Sequence, residues 1–264
     1  MYVRGKGRVG VNVRLGGKVG GVSARVAVLV AGAVACGLAS AGPAGAAGAL
    51  AAERAPACHG VHLLSGPLIV TGTSDPLAGT VVLEEVGPAD DLVTCQSIGV
   101  PLPRRAASVE SCVGATAPAT KLPKRRSTKA IACLINEIRR SKGLNALAVR
   151  GELKRAAKGH NRHMLAGACF SHQCSGEPDL VQRVTAAGYL PCTCSWTVGE
   201  NLAWGVRGES SAAAIVDAWM HSPPHREMIL RNGIQDVGVG VIAGRPGSSR
   251  AKGATYTADF GVKS

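Results

Sequence analysis

The stretch WMHSPPHREMIL at residues 219–230 determines how the second half of the chain folds. Apolar residues at helical spacing lead into it, and the Pro-Pro pair then interrupts the pattern. The sequence therefore predicts one helix from near Ser210 and a second, short helix that ends at Gly233. Residues 237–241 and 255–260 follow with β-branched and aromatic residues, and we expect both to be strands.

Three more helices are predicted before this stretch. The first has Ser127 as a plausible N-cap and repeats apolar residues at helical spacing up to Gly143. The second runs from about residue 150 to 166, and the third opens at Pro178 and closes at Gly188. Helices interleaved with a few late strands predict an α/β sandwich.

Composition places the main hydrophobic core at the C-terminal end. The chain has 264 residues, and every aromatic residue except Tyr2 lies after residue 169. Large aromatic side chains contribute much of the apolar area that a core buries. Collagen, coiled-coil and wholly disordered classes are excluded, because the chain has no matching repeat and is 46% hydrophobic with 18% charged residues.

Residues 1–47 have the layout of a secretory signal peptide. The first 25 residues carry six basic and no acidic residues, and a short apolar run and a small-residue tract with an A-x-A site follow. The apolar run is shorter than the roughly 20 residues that a spanning helix needs. We therefore predict a secreted protein without a transmembrane anchor. Two alternatives are a retained membrane tether and a lipid anchor on Cys36, which ends a loose lipobox.

The charge balance favours anionic partners of the cell envelope. The formal net charge is +13, and loss of the six basic residues with the signal leaves 24 basic against 17 acidic residues, about +7. Such a protein is expected to adsorb to anionic wall polymers or lipid headgroups. No nucleic-acid-binding module is evident, so nucleic acid is not predicted as a partner. The run KLPKRRSTK at residues 121–129 is interpreted as a solvated linker.

An even number of cysteines remains once Cys36 is removed, which favours disulfides in an exported chain. The eight disulfide candidates are Cys58, Cys95, Cys112, Cys133, Cys169, Cys174, Cys192 and Cys194. We expect Cys192 and Cys194 each to bond to Cys169 or Cys174, which would staple the loop around His172. The alternative is a zinc site made by the same four cysteines, although the C-x-C spacing suits structural zinc poorly.

Residues 48–120 read as a small, cysteine-containing segment of strands, loops and linker. β-Branched runs occur at residues 68–70, 81–83 and 92–93, and Cys58 and Cys95 are expected to help hold them. The segment alone has too little apolar mass for a firm core.

Three polar residues in the second half are candidates for chemistry: His172, Glu200 and His225. Two imidazoles and a carboxylate can hold a divalent metal such as Zn²⁺ or Ca²⁺, or can divide acid and base roles. The structural alternatives are that Glu200 holds a turn through backbone N–H groups and that His225, with Arg226, braces the short helix. His160 lies on an apolar helix face and is interpreted as a core histidine.

Seven short motifs follow one another in the second half of the chain: Cys133-Leu-Ile-Asn136, Ala157-x2-His160-x3-Met164, Phe170-Ser-His172, Gly199-Glu-Asn-Leu-Ala203, Trp219-x2-Ser222-x2-His225-Arg226, Gly238-Val-Gly240 and Tyr256-Thr-x2-Phe260. In this order they resemble the CAP superfamily, also called the SCP domain, in its bacterial form. The resemblance covers about residues 121–264. It implies a three-layer α-β-α sandwich with a central cleft, preceded here by the small strand-and-loop segment, and an extracellular location.

The resemblance also implies a cleft with two His and two Glu residues in eukaryotic members. His172 matches the first His and Glu200 the first Glu, whereas Ser222 stands at the second Glu and Thr255 at the second His. Half of that set is therefore missing. His225 belongs to the bacterial pattern and is a candidate substitute ligand.

The motifs and composition leave two main candidate functions. The first is a non-catalytic secreted binding module for lipid, cell-envelope or partner-protein ligands, as the resemblance implies. The alternative is a metal-assisted extracellular hydrolase of peptide or ester bonds, with His172 or His225 as base and Glu200 as ligand or acid. A third interpretation is a structural domain that residues 48–120 attach to the surface. The sequence has no Gly-x-Ser-x-Gly elbow and no His-Glu-x-x-His helix.

Overall fold

The computed structural model describes residues 13–16, 60–64, 66–75, 79–85, 94–97, 111–190, 194–248 and 250–264. These residues form a mixed sheet between two layers of helices. The helices are α1 (Lys124–Ser141), α2 (Gly151–Ala166), α3 (Leu180–Ala186), α4 (Ala212–His221) and α5 (Pro223–Leu230). The strands are β1 (Val13–Gly16), β2 (Gly60–Leu63), β3 (Leu68–Asp75), β4 (Gly79–Glu85), β5 (Thr94–Ser97), β6 (Ala148–Val149), β7 (Ser195–Val206), β8 (Asp236–Ala243) and β9 (Gly253–Lys263).

The sheet is organised around the long antiparallel pair of β7 and β9. Its strand order is β1-β4-β3-β7-β9-β8-β6, and β2 pairs with both β7 and β5. Strand β7 runs against β9 from Trp196 opposite Lys263 to Val206 opposite Gly253. The residues of β7 are consequently flanked by other strands on both sides over most of its length.

Helices cover both faces of this sheet, so the predicted three-layer sandwich is confirmed. On one face α1, α4 and α5 pack into a core cluster with Ile135, Trp219 and Phe260. On the other face the core clusters include Leu153 of α2 and Val184 of α3. Completely buried side chains of this size each contribute roughly 1.5–3 kcal/mol of hydrophobic stabilisation.

Two glycines of β8 allow α2 to lie directly on the sheet. A Cβ atom at Gly240 would lie 2.6 Å from the carbonyl carbon of Ala157, and one at Gly238 would collide with the backbone of Leu153 and Lys154. Any side chain at either position would push the helix away from the strand. The Gly238-Val-Gly240 motif therefore sets the depth of the α2 layer.

The predicted helices are present, with one change at the start of α1. This helix begins at Lys124 after Pro123, and Ser127 is a buried residue inside its first turns and not its N-cap. The interpretation of residues 121–129 as a linker was wrong, because Lys121 ends a 3-10 helix and the residues from Lys124 belong to α1. A proline is tolerated at the start of a helix, where its missing N–H costs no hydrogen bond.

The described strands of residues 48–120 belong to the same sheet as the C-terminal half. β2 and β3 both pair with β7, and the side chains of Val61 and Leu63 join the main core cluster. The predicted runs at residues 68–70 and 81–83 lie in β3 and β4. The run at 92–93 lies outside the described residues. The strands of this segment are therefore stabilised by packing into the core of the C-terminal half.

The described part of the predicted signal region is strand β1, which pairs with β4. The remainder of residues 1–47, Cys36 included, lies outside the described residues, so the signal peptide stays a prediction. In the parts of the chain that the structure covers, no helix is both long and apolar enough to cross a bilayer.

Two disulfides are formed between described cysteines, and one of them corrects the expected pairing. Cys169 bonds to Cys174, five residues away, with 6.0 Å between their Cα atoms. The turn after α2 brings these two residues together, so neither is left for Cys192 or Cys194 or for zinc. The second bond joins Cys112 to Cys133. Cys194 is also disulfide-bonded, whereas Cys58 and Cys192 lie outside the described residues.

Candidate functional site

Glu200 lies in the middle of β7, and not beside a turn as one interpretation of the sequence expected. Its side chain is completely buried and faces the layer of α2 and α3, where it meets His160 and Arg183. The next residue, Asn201, faces the opposite layer and donates a hydrogen bond of 3.2 Å to the carbonyl oxygen of His225. Gly199 is required before them, since a Cβ atom there would lie 2.5 Å from the sulfur of Met228.

Both carboxylate oxygens of Glu200 have charged partners. His172 Nδ1 lies 2.8 Å from Oε1, and Arg183 Nη2 donates to Oε2 at 2.8 Å. His160 Nε2 lies 3.7 Å from Oε1. Burial opposes ionisation of Glu200, but the positive charge of Arg183, followed by those of His160 and His172, outweighs it and holds the pKa well below its usual range. Glu200 is therefore an ionised, fully engaged carboxylate.

His172 uses both of its ring nitrogens in hydrogen bonds. Nδ1 faces Glu200, and Nε2 lies 3.0 Å from the carbonyl oxygen of Gly66, in the connection between β2 and β3. A carboxylate and a carbonyl oxygen only accept hydrogen bonds, so both ring nitrogens face protein acceptors. A metal ion could bind the ring only by displacing one of these two contacts.

Further polar side chains enclose this pair. His160 Nδ1 lies 2.8 Å from each oxygen of Glu177, and Arg183 donates to the carbonyl oxygens of His172 and Pro178 at 3.0 Å. Burial lowers the pKa of Arg183, but the negative charges of neighbouring carboxylates, that of Glu200 foremost, outweigh it and raise the pKa. We call the whole set the buried charge cluster; its members are His160, His172, Glu177, Arg183, Glu200 and Asp259.

Asp259 is the second carboxyl group at the centre of the cluster. It is the register partner of Glu200 on β9 and is completely buried. Burial, and then the negative charge of Glu200, raise the pKa of Asp259 well above its usual value. Two adjacent buried carboxyl groups keep one proton between them, because both cannot ionise. A protonated Asp259 is a neutral acid, and neither of its oxygens has a hydrogen-bond partner among the described residues.

His225 and Ser222 form a separate pair at the start of α5. Ser222 Oγ lies 2.8 Å from His225 Nδ1, and His225 is completely buried. Burial, and to a smaller extent the charge of His172, lower the pKa of His225 to about 3. Its Nε2 has no hydrogen-bond partner among the described residues. The predicted brace is present in Arg226, which donates to the carbonyl oxygen of Met220 at 3.2 Å.

Thr255 does not join the other candidates. Its hydroxyl donates to the carbonyl oxygen of Gly244 at 3.0 Å. It lies four residues before Asp259 on β9, a distance of about 13 Å along a strand. The structure thus brings His172 to Glu200, pairs Ser222 with His225, and leaves Thr255 elsewhere in the sheet.

Sequence reasoning missed Glu177, Arg183 and Asp259, and it assigned His160 to an apolar core. The available signal was the position of His160 on the buried face of its helix. Glu177 and Arg183 gave no signal, because they reach the cluster only through the turn after α2. Asp259 gave none because both faces of β9 are buried, which removes the usual alternation of polar and apolar residues.

The cluster does not fit a metal site. No group of three or more His, Cys, Asp or Glu side chains in the described part of the chain is arranged to hold a metal ion. Glu200 and His172 already use the atoms that a metal would need. His225 Nε2 is a neutral ring nitrogen without a partner among the described residues, and it is one of the remaining candidate ligand atoms; His160 Nε2 and both side-chain oxygens of Asp259 also lack a hydrogen-bond partner there.

Comparison with known proteins identifies this half of the chain. The model of the cysteine-rich secretory protein family, CAP, matches residues 133–260. The chain carries a CAP domain. This domain contains His172, Glu200, His225 and Asp259. The protein YkwD of Bacillus subtilis is 29% identical to it over 116 residues, which are 43% of this chain and 42% of YkwD. The chain thus matches less than half the length of this curated relative.

Three solved structures are also similar to this chain. An outer surface protein of Borrelia burgdorferi is 20% identical with a TM-score of 0.45, over 54% of this chain and 97% of its own. An extracellular SCP-domain protein of Bacillus anthracis is 19% identical with a TM-score of 0.42, over 69% and 52%. A cysteine-rich secretory protein of Staphylococcus aureus is 15% identical with a TM-score of 0.37, over 73% and 55%.

Proposed function

We propose that this chain is a secreted, non-catalytic binding module whose CAP domain recognises lipid, cell-envelope or partner-protein ligands. The observation that carries the proposal is the state of Glu200: it is completely buried, and His172 and Arg183 occupy both of its oxygens. A carboxylate in this state stabilises the domain from inside. A general base needs an oxygen within reach of a substrate proton.

The disulfides and the charge support the location and the class of ligand. Cys112–Cys133 and Cys169–Cys174 suit an oxidising compartment outside the cytosol. The signal-like pattern of residues 1–47 is consistent with export, and a basic chain is attracted to anionic envelope components.

The test is retention of the disulfide-intact protein on isolated bacterial envelopes and on lipid extracts. We expect binding that survives chelator, together with no turnover of peptide or ester libraries. His172→Ala weakens the domain without creating or abolishing any catalytic signal. Failure to bind either material in low-salt buffer would contradict the proposal.

The second candidate, a metal-assisted hydrolase, is favoured by one observation, the unpartnered Nε2 of His225. Calorimetric titration with Zn²⁺ and Ca²⁺ tests it directly. Tight binding that both His172→Ala and His225→Ala abolish, with metal-dependent turnover, would favour the hydrolase over the binding module.

A further inference from the structure

A groove of about 440 Å³ lies beside the first turns of α1, away from the buried charge cluster. Three cations of α1 line it, together with Cys133, which is disulfide-bonded to Cys112. Its lining includes Arg125, Arg126, Lys129, Pro123, Val113 and Cys133. We call this feature the basic groove. Its lining includes three of the five cations of the run KLPKRRSTK, which the sequence interpretation had taken as a solvated linker.

The positive charge of this region is unopposed. Residues 111–136 contain five cations, the three of the groove plus Lys121 and Lys124, and no Asp or Glu. Within the described structure none of these five side chains makes an ion pair or a hydrogen bond, and all five residues are exposed. Some cations elsewhere are paired, as Arg150 is with Asp236 and Arg183 with Glu200.

These cations do not stabilise the helix that carries them. The first turn of α1 has no acidic residue and no side-chain cap. Positive charge at a helix N-terminus opposes the helix dipole, and Arg125 and Lys129 are like charges four residues apart. A cost of this kind is expected where the charges serve an external partner, because binding of an anion removes the repulsion.

The groove is held in shape before any ligand arrives. The Cys112–Cys133 bond ties the segment with Val113 to the middle of α1. Fixing both walls lowers the ordering cost of binding.

We propose that the basic groove binds an anionic polymer of repeating phosphodiesters. Two guanidinium groups next to one ammonium group suit phosphate oxygens, because arginine can donate to phosphate in a bidentate manner. A concave groove accepts a chain that threads along it. This inference goes beyond the proposed function, since it assigns a ligand class to a site outside the buried charge cluster; it rests on the proposed placement outside the cell.

The described surface argues against the two other sources of phosphate. Its only exposed large apolar side chains are Val113, which is 70% exposed, and Val149. A membrane-bound face usually adds several Trp, Phe or Leu side chains to its cations. No aromatic side chain lines the groove, although stacking on aromatic rings contributes much of the binding of single-stranded nucleic acid.

The test measures binding of poly(glycerol phosphate) to the full, disulfide-intact chain by calorimetry at several salt concentrations. The groove variant is Arg125→Gln/Arg126→Gln/Lys129→Gln. Its control is Lys142→Gln/Arg162→Gln/Lys252→Gln, which removes the same charge from exposed positions elsewhere. We expect the groove variant to bind about 100-fold more weakly, with a log–log salt slope lower by about two, and the control to change affinity less than threefold. Thermal melts verify that both variants are folded.

Three further probes decide between ligand classes. Phosphatidylglycerol vesicles test a membrane, an oligo-dT strand tests nucleic acid, and polyacrylate tests a polyanion without phosphate. Tighter binding to any of them than to poly(glycerol phosphate), or equal losses in both triple variants, overturns the proposal. If the groove variant is still retained on envelopes, the groove is not the binding site, but the proposed function stands. If the wild-type chain binds neither envelopes nor any probe, the proposed function is overturned as well.

Discussion

Glu200 and Asp259 lie directly opposite each other on β7 and β9, and both side chains are completely buried. Their pKa values move in opposite directions, that of Glu200 downward and that of Asp259 upward. The pair therefore carries one negative charge, and Arg183 and His172 both contact the Glu200 carboxylate that holds it. This arrangement links the stability of the whole sheet to pH.

Asp259→Asn is expected to remove one part of this pH dependence. The raised pKa means that folded Asp259 keeps its proton above pH 4 while the unfolded chain loses it, so the wild type loses stability as pH rises from about 4 to 7. Asparagine does not titrate. Urea denaturation at pH 4 and pH 7 measures the free energy of unfolding of both proteins. Between these pH values the stability of the variant relative to the wild type should rise by about 1.4 kcal/mol for each unit by which the pKa is raised.

Glu200→Gln is the comparison for that experiment. It leaves the charge of Arg183 buried without its main partner, and such losses cost about 3–5 kcal/mol of unfolding free energy. If the unfolding free energies of Asp259→Asn and the wild type changed in parallel with pH, Asp259 would ionise in the folded protein as it does in the unfolded chain. That result would contradict the prediction.

His225 should remain neutral across the physiological range. Its pKa is about 3 in the folded chain and near 6.5 when unfolded, so its stabilising contribution is complete above pH 6.5 and is lost as pH falls toward 3. The lost stability is of the order of 5 kcal/mol, and His225→Gln should flatten this part of the profile. Ring ¹⁵N shifts in NMR spectra measure the titration directly.

Ser222→Ala separates the effect of burial on the pKa of His225 from the effect of its hydrogen bond with Ser222. The variant loses the 2.8 Å contact with His225 Nδ1 and about 1 kcal/mol of stability. Because burial is the main cause of the low pKa, His225 should stay neutral in this variant. A titration midpoint near 6.5 in the wild type would contradict the buried position of the ring.

Two glycine substitutions should have opposite effects. Gly238→Ala places a Cβ atom against the backbone of α2, and we expect a loss of more than 3 kcal/mol or failure to fold. Gly159→Ala lies inside α2 with no atom within 4 Å of the new Cβ, so it should raise stability by about 0.5–1 kcal/mol. Thermal denaturation of both variants checks the packing of α2 on β8.

Cys112→Ala/Cys133→Ala should lower the free energy of unfolding by about 3 kcal/mol. The bond closes a loop with a sequence separation of 21, and a loop of this length gains roughly that much from cross-linking the unfolded chain. Denaturation with and without reductant measures it: because reductant also opens Cys169–Cys174, the wild type should match the double variant only when both are measured in reductant. An unchanged midpoint would mean that the unfolded chain is compact without the bond.

The helices and their layers could be predicted because their apolar spacing and their boundaries are local. The second predicted helix, from about residue 150 to 166, matches α2, and Pro223 and Pro224 mark the start of α5. β7 was harder to predict, since Gly199, Glu200 and Asn201 are residues typical of turns. Their strand conformation depends on pairing with β3 and β9, which are distant in sequence.

The candidate site was predictable only in part for the same reason. Family motifs pointed to His172 and Glu200, and the structure brings these two together. Arg183 and Asp259 reach Glu200 through contacts between elements that are distant in sequence, and no periodic pattern encodes such contacts. The pairing of Cys169 with Cys174 depended on the turn after α2 and not on cysteine spacing alone.

The pairing of β2 and β3 with β7 has a consequence for any shortened form of the protein. A piece that begins at residue 121 would contain the whole family-matched region but would leave one side of β7 without neighbours. An uncovered strand of this length offers its free N–H and C=O groups to another chain. The isolated domain should therefore self-associate through β7, whereas β2 and β3 cover this edge in the full chain.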